Sequence, residues 1–315
     1  MRVYVIKRIL TIVPVILLVS LIVFLLIHFI PGDPALVFVG EDAAPGEVER
    51  IRFEMGLDQP LYIQFGTWLA MVVRGDFGES IIYQRPVIDL IWERLPVTLS
   101  FGFFSMLISL MIAIPSGILA AANQNTYKDY FFTFIAVLGI SIPGFWLALM
   151  FIFTFSLKLG WLPAIGYIPL TQDFWGGVEC LILPSTAHAM LTAAIVARML
   201  RSSMLEVLRQ DFITTARGKG LPERWVIYKH ALKNAFAPTL TVIGFQIGAV
   251  IGGSIIFETI FTLPGIGQMI YTAIGDRDYP VVQGCLLVIA FSFVLVNLVV
   301  DLLYSYFDPR ITYER

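Results

Sequence analysis

The chain has 315 residues, of which 58% are hydrophobic and 14% charged, with a mean hydropathy of +0.83. A soluble globular domain carries about 25% charged residues, so the apolar surplus must face something other than water, and an ordinary water-soluble enzyme is excluded. The formal net charge of -2, from 21 Lys and Arg against 23 Asp and Glu, gives no basic excess for a nucleic-acid partner.

Crossing about 30 Å of hydrocarbon takes roughly 20 helical residues, and six charge-free stretches approach or exceed that length. The first, Ile9 to Gly32, lies between Arg8 and Asp33. It continues into Ile30-Pro31-Gly32-Asp33-Pro34 without a small-residue cleavage site, which marks an anchor rather than a removed signal. The second and third lie within Leu95 to Tyr127 and Tyr130 to Leu157. The fourth is Cys180 to Ala197, the fifth Asn234 to Phe257 ending at Glu258, and the sixth Tyr279 to Val300 ending at Asp301. Pro14, Pro115 and Pro143 are expected inside helices, where neighbouring helices or hydroxyls satisfy the freed carbonyls. The uncharged stretch Thr259 to Gly275 is short and holds Pro264, Gly265 and Gly267, so a re-entrant or surface loop is expected there.

The fold class is therefore all-α: a polytopic membrane protein of six transmembrane helices. The expected divisions are 1–32 for the N-terminal end and first helix, 33–94 for an extracytoplasmic segment, 95–309 for the membrane core with a loop at 201–235, and 310–315 for a tail. Placing the N-terminus inside puts 14 of the 21 Lys and Arg residues in the cytoplasm. Five of the other seven fall in the long segment Pro31 to Val97, which translocates largely regardless of charge. Both termini are thus expected to be cytoplasmic. The segment Pro31 to Val97 holds 11 acids and five cations and is either a solvated structural cap or a docking surface. Cys180 and Cys285 lie in apolar surroundings and form neither a disulfide framework nor a metal spacing.

The stretch Arg198 to Lys233 carries eight cations. Asp211 is the expected N-cap of a short helix, Gly220 its left-handed stop, and Pro222 belongs to the first turn of a second helix. That helix is expected to expose Phe212, Thr215, Ala216 and Leu221. Such apolar projections pack into a partner's groove, or else the loop is only a basic positive-inside segment. In the fifth span Gly244, Gly248 and Gly252 recur every four residues, a ridge for close helix approach or a pore-lining strip. Gln246 and Ser254 add polarity nearby, and Glu258 either accepts backbone hydrogen bonds at the turn or helps close the outer end of a pathway.

The run Thr215-Ala216-Arg217-Gly218-Lys219-Gly220-Leu221, followed by His230-Ala231-Leu232-Lys233-Asn234-Ala235, closely resembles the cytoplasmic "EAA" loop of permease subunits of ABC importers. Further motifs carry the resemblance along the chain: Pro31-Gly32-Asp33-Pro34, Gly56-Leu57-Asp58-Gln59-Pro60-Leu61, Gly75-Asp76-Phe77-Gly78, Gln124-Asn125, Gly253-Ser254 with Glu258, Leu263-Pro264-Gly265-Ile266-Gly267, Arg277-Asp278-Tyr279-Pro280 and Asp308-Pro309. Their order is similar to the B-type subunit of the dipeptide, oligopeptide and nickel branch. Departures are Thr214 and Thr215 in place of Glu and the first Ala, His230 and Lys233 at later positions, and Gly218 where the branch has Ala, a loss of about 1 kcal/mol of helix propensity.

The resemblance implies a bacterial inner-membrane permease that transports di- or oligopeptides, with glutathione or nickel chelates as alternatives. It implies a homologous permease subunit, two ATPase subunits, an extracytoplasmic solute-binding protein and surrounding lipid as partners, and no nucleic acid. Asp211, Phe212, Thr215, Ala216, Arg217, Lys219, Gly220 and Leu221 would couple to the ATPases. Gln246, Ser254, Glu258, Pro264 and Gly265 are the gate or pathway candidates. No Gly-x-x-x-x-Gly-Lys-Ser/Thr loop is present, so ATP and magnesium are expected on the partner subunits, with no cofactor, metal or catalytic residue here. His28, His188 and His230 are far apart in sequence and assemble no hydrolase constellation. An ion-coupled secondary transporter would need ionisable groups near the midplane, whereas Glu258 and Asp301 fall at span ends.

Overall fold

The computed structural model describes residues 2–29, 34–39, 46–54 and 56–307. Pro31-Gly32-Asp33, which closes the expected first span, and Asp308-Pro309 with the tail 310–315 lie outside the described residues. Among those described, every extended element is helical, and a single bridge pairs Glu79 with Pro86. Four helices are long and apolar enough to cross a membrane: α5 (Val87–Ala122), α8 (Phe174–Leu208), the helix running from Glu223 to Gly252, and α14 (Tyr279–Phe307). A bent pair supplies a fifth if counted as one crossing, and α1 (Arg2–Phe29) carries the shorter apolar stretch Leu10–Leu26.

The bent pair corrects the expected third span. Instead of one helix with Pro143 inside it, α6 (Tyr127–Ser141) stops before Pro143 and α7 (Gly144–Phe151) begins after it, 100° away. Proline offers no N–H and disfavours helical geometry in the residue before it. Ile142 is accordingly extended (φ -81°, ψ 127°), and Pro143 becomes the N-cap of α7. A π-helical stretch, Ile152–Lys158, continues α7.

The chain divides into two compact units, Met1–Pro96 with Pro264–Ser292, and Val97–Leu263 with Phe293–Arg315. The first unit holds α1, the short helices α2 (Pro34–Val39) and α3 (Glu47–Glu54), and α4 (Leu61–Val73). Phe24 of α1 meets Phe65 and Trp68 of α4 with ring centroids 5.4 and 5.7 Å apart. The expected loop at 259–275 is in part a helix, α13 (Ile266–Gly275). Ile266, Met269, Ile270 and Ala273 recur at helical spacing and bury that face against Val87, Leu90 and Ile91 of α5 and Val281, Val282 and Cys285 of α14.

One polar tie fixes this unit. Arg277 takes a left-handed φ of 58° after α13, and the Asp278 carboxylate, 1% exposed, accepts from Ser80 Oγ at 2.5 Å and from the N–H groups of Ile81 and Ile82 at 3.2 and 3.3 Å. Tyr83 N–H donates to Ser80 Oγ in turn. The turn at 80–83 is thereby held by a buried carboxylate nearly 200 residues away in sequence.

In the second unit α8 is the central element. Phe101, Leu181, Leu183, Ala187, Val250 and Phe257 pack in one cluster, and Leu200, Met204, Val207 and Val226 in another. The glycine ridge is a packing surface: a Cβ on Gly244 would overlap Val300, and one on Gly248 would overlap the Phe293 ring. Both neighbours belong to α14. Gly248→Ala is expected to lower the thermal stability of the purified protein by about 1–3 kcal/mol through overpacking, with Gly66→Ala, where a Cβ meets open space, as the neutral control; equal melting temperatures would reject the packing role.

Candidate functional site

The loop after α8 begins with α9 (Asp211–Gly218). Gln210, extended at φ -80° and ψ 151°, occupies the N-cap, so Asp211 is not the cap but the first helical residue, where its charge suits the positive end of the helix. Two backbone bonds close the other end: Gly220 N–H to Arg217 O at 2.9 Å and Leu221 N–H to Ala216 O at 3.4 Å. Gly220 has φ 76°, the left-handed geometry that this double closure requires and that glycine adopts without a Cβ clash. Gly218 is the last helical residue and a Cβ there would meet nothing, so its low propensity falls at an end, where little helix depends on it.

The two faces of α9 differ sharply. Ile213 and Ala216 are buried against Leu200, Met204, Val207, Val226, Ala231 and Ala235. This corrects the expectation that Ala216 projects outward. Spacing alone could not separate the two faces of an eight-residue helix, and the hydrophobic cluster at the end of α8 selects Ile213 and Ala216. Phe212 and Leu221 are each 39% exposed, and Asp211, Thr215, Arg217, Lys219 and Gly220 are exposed as well. Arg217 donates to Glu223 through Nη2 at 2.6 Å and Nε at 3.2 Å. The hydrogen bond from Arg217 holds the Glu223 carboxyl below its usual range, although an exposed pair of this kind contributes at most about 1 kcal/mol.

Pro222 is the N-cap of the next helix rather than part of its first turn. That helix, α10 (Glu223–Trp225), passes through a π-helical stretch, Val226–Ala231, directly into α11 (Leu232–Gly253). The second helix of the loop and the fifth span are therefore one continuous rod. Where α6 begins, Asp129, 2% exposed, takes a bidentate contact from Arg201 of α8 at 2.6 and 2.8 Å, as well as the Asn125 N–H at 3.0 Å. Sequence reasoning missed this clamp; the available signal was a lone acid in the first turn of an apolar helix.

Glu258 does not terminate the fifth span. α11 breaks at Ser254, and Glu258 lies inside the short helix α12 (Ile255–Ile260), fully buried. Its Oε1 accepts from Thr98 Oγ1 of α5 at 2.7 Å, and its carbonyl accepts the Leu263 N–H at 2.8 Å. Phe257, the preceding residue, packs against Phe101 and His188, with centroids 6.1 and 5.0 Å away. Gln246 and Ser254 are also buried, and Ser254 Oγ has no hydrogen-bond partner among the described residues. Of the five gate or pathway candidates, Gln246, Ser254 and Glu258 belong to the second unit and Pro264 and Gly265 to the first.

The family described as binding-protein-dependent transport system inner membrane component matches residues 113–313, and its N-terminal companion matches residues 1–102. The chain belongs to this permease family. Similar proteins include the dipeptide transport system permease protein DppB of Alkalihalophilus pseudofirmus, 44% identical over 99% of this chain and 100% of that one. A putative peptide transport system permease protein of Brucella abortus is 43% identical over the full length of both chains. The glutathione transport system permease protein GsiC of Escherichia coli is 42% identical over 99% of each. A structure of the MetNI methionine ABC transporter in an inward-facing conformation shares the fold at a TM-score of 0.58 and 19% identity, over 70% of this chain and 96% of that one.

The permease is thus a membrane component that works with other transport subunits and is not itself an enzyme. Its Glu258 makes a buried hydrogen bond with Thr98 between two helices, so removing either group costs that bond in an environment where water does not replace it. Thr98→Val and Glu258→Gln are each expected to lower thermal stability by about 1 kcal/mol, and Glu258→Ala, which adds a cavity, by about 2–4 kcal/mol. Identical unfolding curves for Glu258→Ala and the parent would show that this contact holds nothing.

Proposed function

We propose that this permease forms half of the translocation pathway of an ATP-driven importer for di- or oligopeptides, glutathione included, in a bacterial inner membrane. The full-length similarity to permeases named for dipeptide, peptide and glutathione transport supports that substrate class. Its partners are a homologous permease subunit, two ATPase subunits that carry ATP and magnesium, and an extracytoplasmic solute-binding protein. Both termini and α9 lie on the cytoplasmic side, in line with the concentration of Lys and Arg at those positions.

The observation that carries the coupling role is the two-faced α9. Ile213 and Ala216 fasten it to the ends of α8 and α11, while Phe212, Thr215 and the Schellman-closed end at Gly220 and Leu221 remain exposed for a partner. Closure of the ATPase pair pushes on the exposed face, and the buried face transmits the push to two membrane helices as a rigid unit.

Substitutions on the two faces separate the roles. Phe212→Ala combined with Thr215→Glu is expected to leave the amount of membrane-inserted permease unchanged, while uptake by the assembled transporter falls at least tenfold and ATP hydrolysis loses its dependence on uptake. Ile213→Ala instead removes buried volume, costs about 2–5 kcal/mol and reduces the assembled complex. Normal uptake by the outward-face double variant would reject α9 as the coupling element. In a background of Cys180→Ser and Cys285→Ala, a cysteine at 219 is expected to react only with reagent supplied from the cytoplasmic side. Labelling from outside would reverse the topology.

A further inference from the structure

The helix from Glu223 to Gly252 is 30 residues long, about 45 Å at 1.5 Å per residue, against about 30 Å of hydrocarbon. Roughly ten residues must therefore stand outside the apolar slab. The polar, charged end of the rod is 223–233, because no charged residue occurs from Asn234 to Phe257. Its inward side, Val226 and Ala231, is buried in the cluster with Leu200 and Met204. Its outward side presents Arg224, Trp225, Tyr228, Lys229 and Lys233, all exposed, with Trp225 at 49% and Tyr228 at 59%.

Three cations on this side have no carboxylate within ion-pair distance among the described residues, since the nearest acid in sequence, Glu223, is engaged by Arg217. Lys229 Nζ lies over the Trp225 ring, 5.3 Å from its centroid, which holds the ammonium against an amphipathic aromatic. Tryptophan and tyrosine favour the headgroup layer, and unpaired cations at that depth attract phosphate-bearing lipids. Position, charge and aromatic content thus favour one occupant.

We propose that Arg224, Trp225, Tyr228, Lys229 and Lys233 form a docking surface for the anionic headgroup of a phospholipid in the adjoining leaflet. The lipid phosphate takes the place of the missing carboxylate partners, and the aromatic rings set the depth of the helix. The site depends on membrane embedding alone and is independent of the substrate and coupling role proposed above.

The test uses the complete transporter in nanodiscs of phosphatidylglycerol and phosphatidylcholine, with a photoreactive benzoylphenylalanine replacing Tyr228. The expected crosslink is to lipid, enriched in phosphatidylglycerol over its share of the bilayer. Lys229→Gln is expected to lower that enrichment about fivefold, and adding Lys233→Gln by a further factor of similar size, as for loss of single cations near an anionic surface. Lys229→Arg with Lys233→Arg should retain it, which separates charge from folding. Crosslinks to a protein subunit, or lipid crosslinks in proportion to bilayer composition, would overturn the proposal.

Discussion

Every helix leaves its last carbonyls without partners inside the helix, and the chain that follows must supply donors for them. The same closure recurs at five α-helix ends among the described residues. After α3, α4, α9, α12 and α13, a residue with positive φ (Gly56, Gly75, Gly220, Thr262 and Arg277) turns the chain back, and its own N–H and that of the following residue donate to carbonyls of the last turn. Two of these residues are not glycine. Thr262 and Arg277 accept a left-handed backbone that costs L-residues about 1–2 kcal/mol. Helix ends, more than helix lengths, set the architecture.

The buried polar ties follow the same constraint. Asp278 with Ser80, Asp129 with Arg201 and Glu258 with Thr98 each bury a carboxylate and give it a donor from a distant segment. Such groups gain little net stability once desolvation is counted, but they penalise any arrangement that separates them. In a fold of sliding apolar helices, that penalty defines register. The Asp129 clamp joins the turn before α6 to α8, and the Glu258 bond joins the broken end of the fifth span to α5.

The proposed coupling helix has a related design. A short helix is unstable alone, yet α9 is held by a left-handed stop, an inward face of Ile213 and Ala216, and an ion pair to Glu223. Its neighbour α10 is continuous with α11, so the turn 219–222 and the Arg217–Glu223 pair join α9 to the rod.

Composition and the length of the charge-free stretches by themselves determined that the chain is helical and membrane-embedded, since surplus apolar surface needs lipid and runs of roughly 20 apolar residues cross it as helices whose backbone is satisfied internally. The sequence likewise determined the stop at Gly220, a local matter of backbone conformation. Tertiary structure decided which face of α9 is buried, because Ile213 and Ala216 compete with Phe212 and Leu221 on apolarity and only the cluster at the end of α8 distinguishes them. It also decided that the third span breaks sharply at Ile142 and Pro143, and that Glu258 is buried rather than at a span end. Its partner, Thr98, lies 160 residues away, and no local pattern encodes a contact whose two halves are brought together only by helix packing.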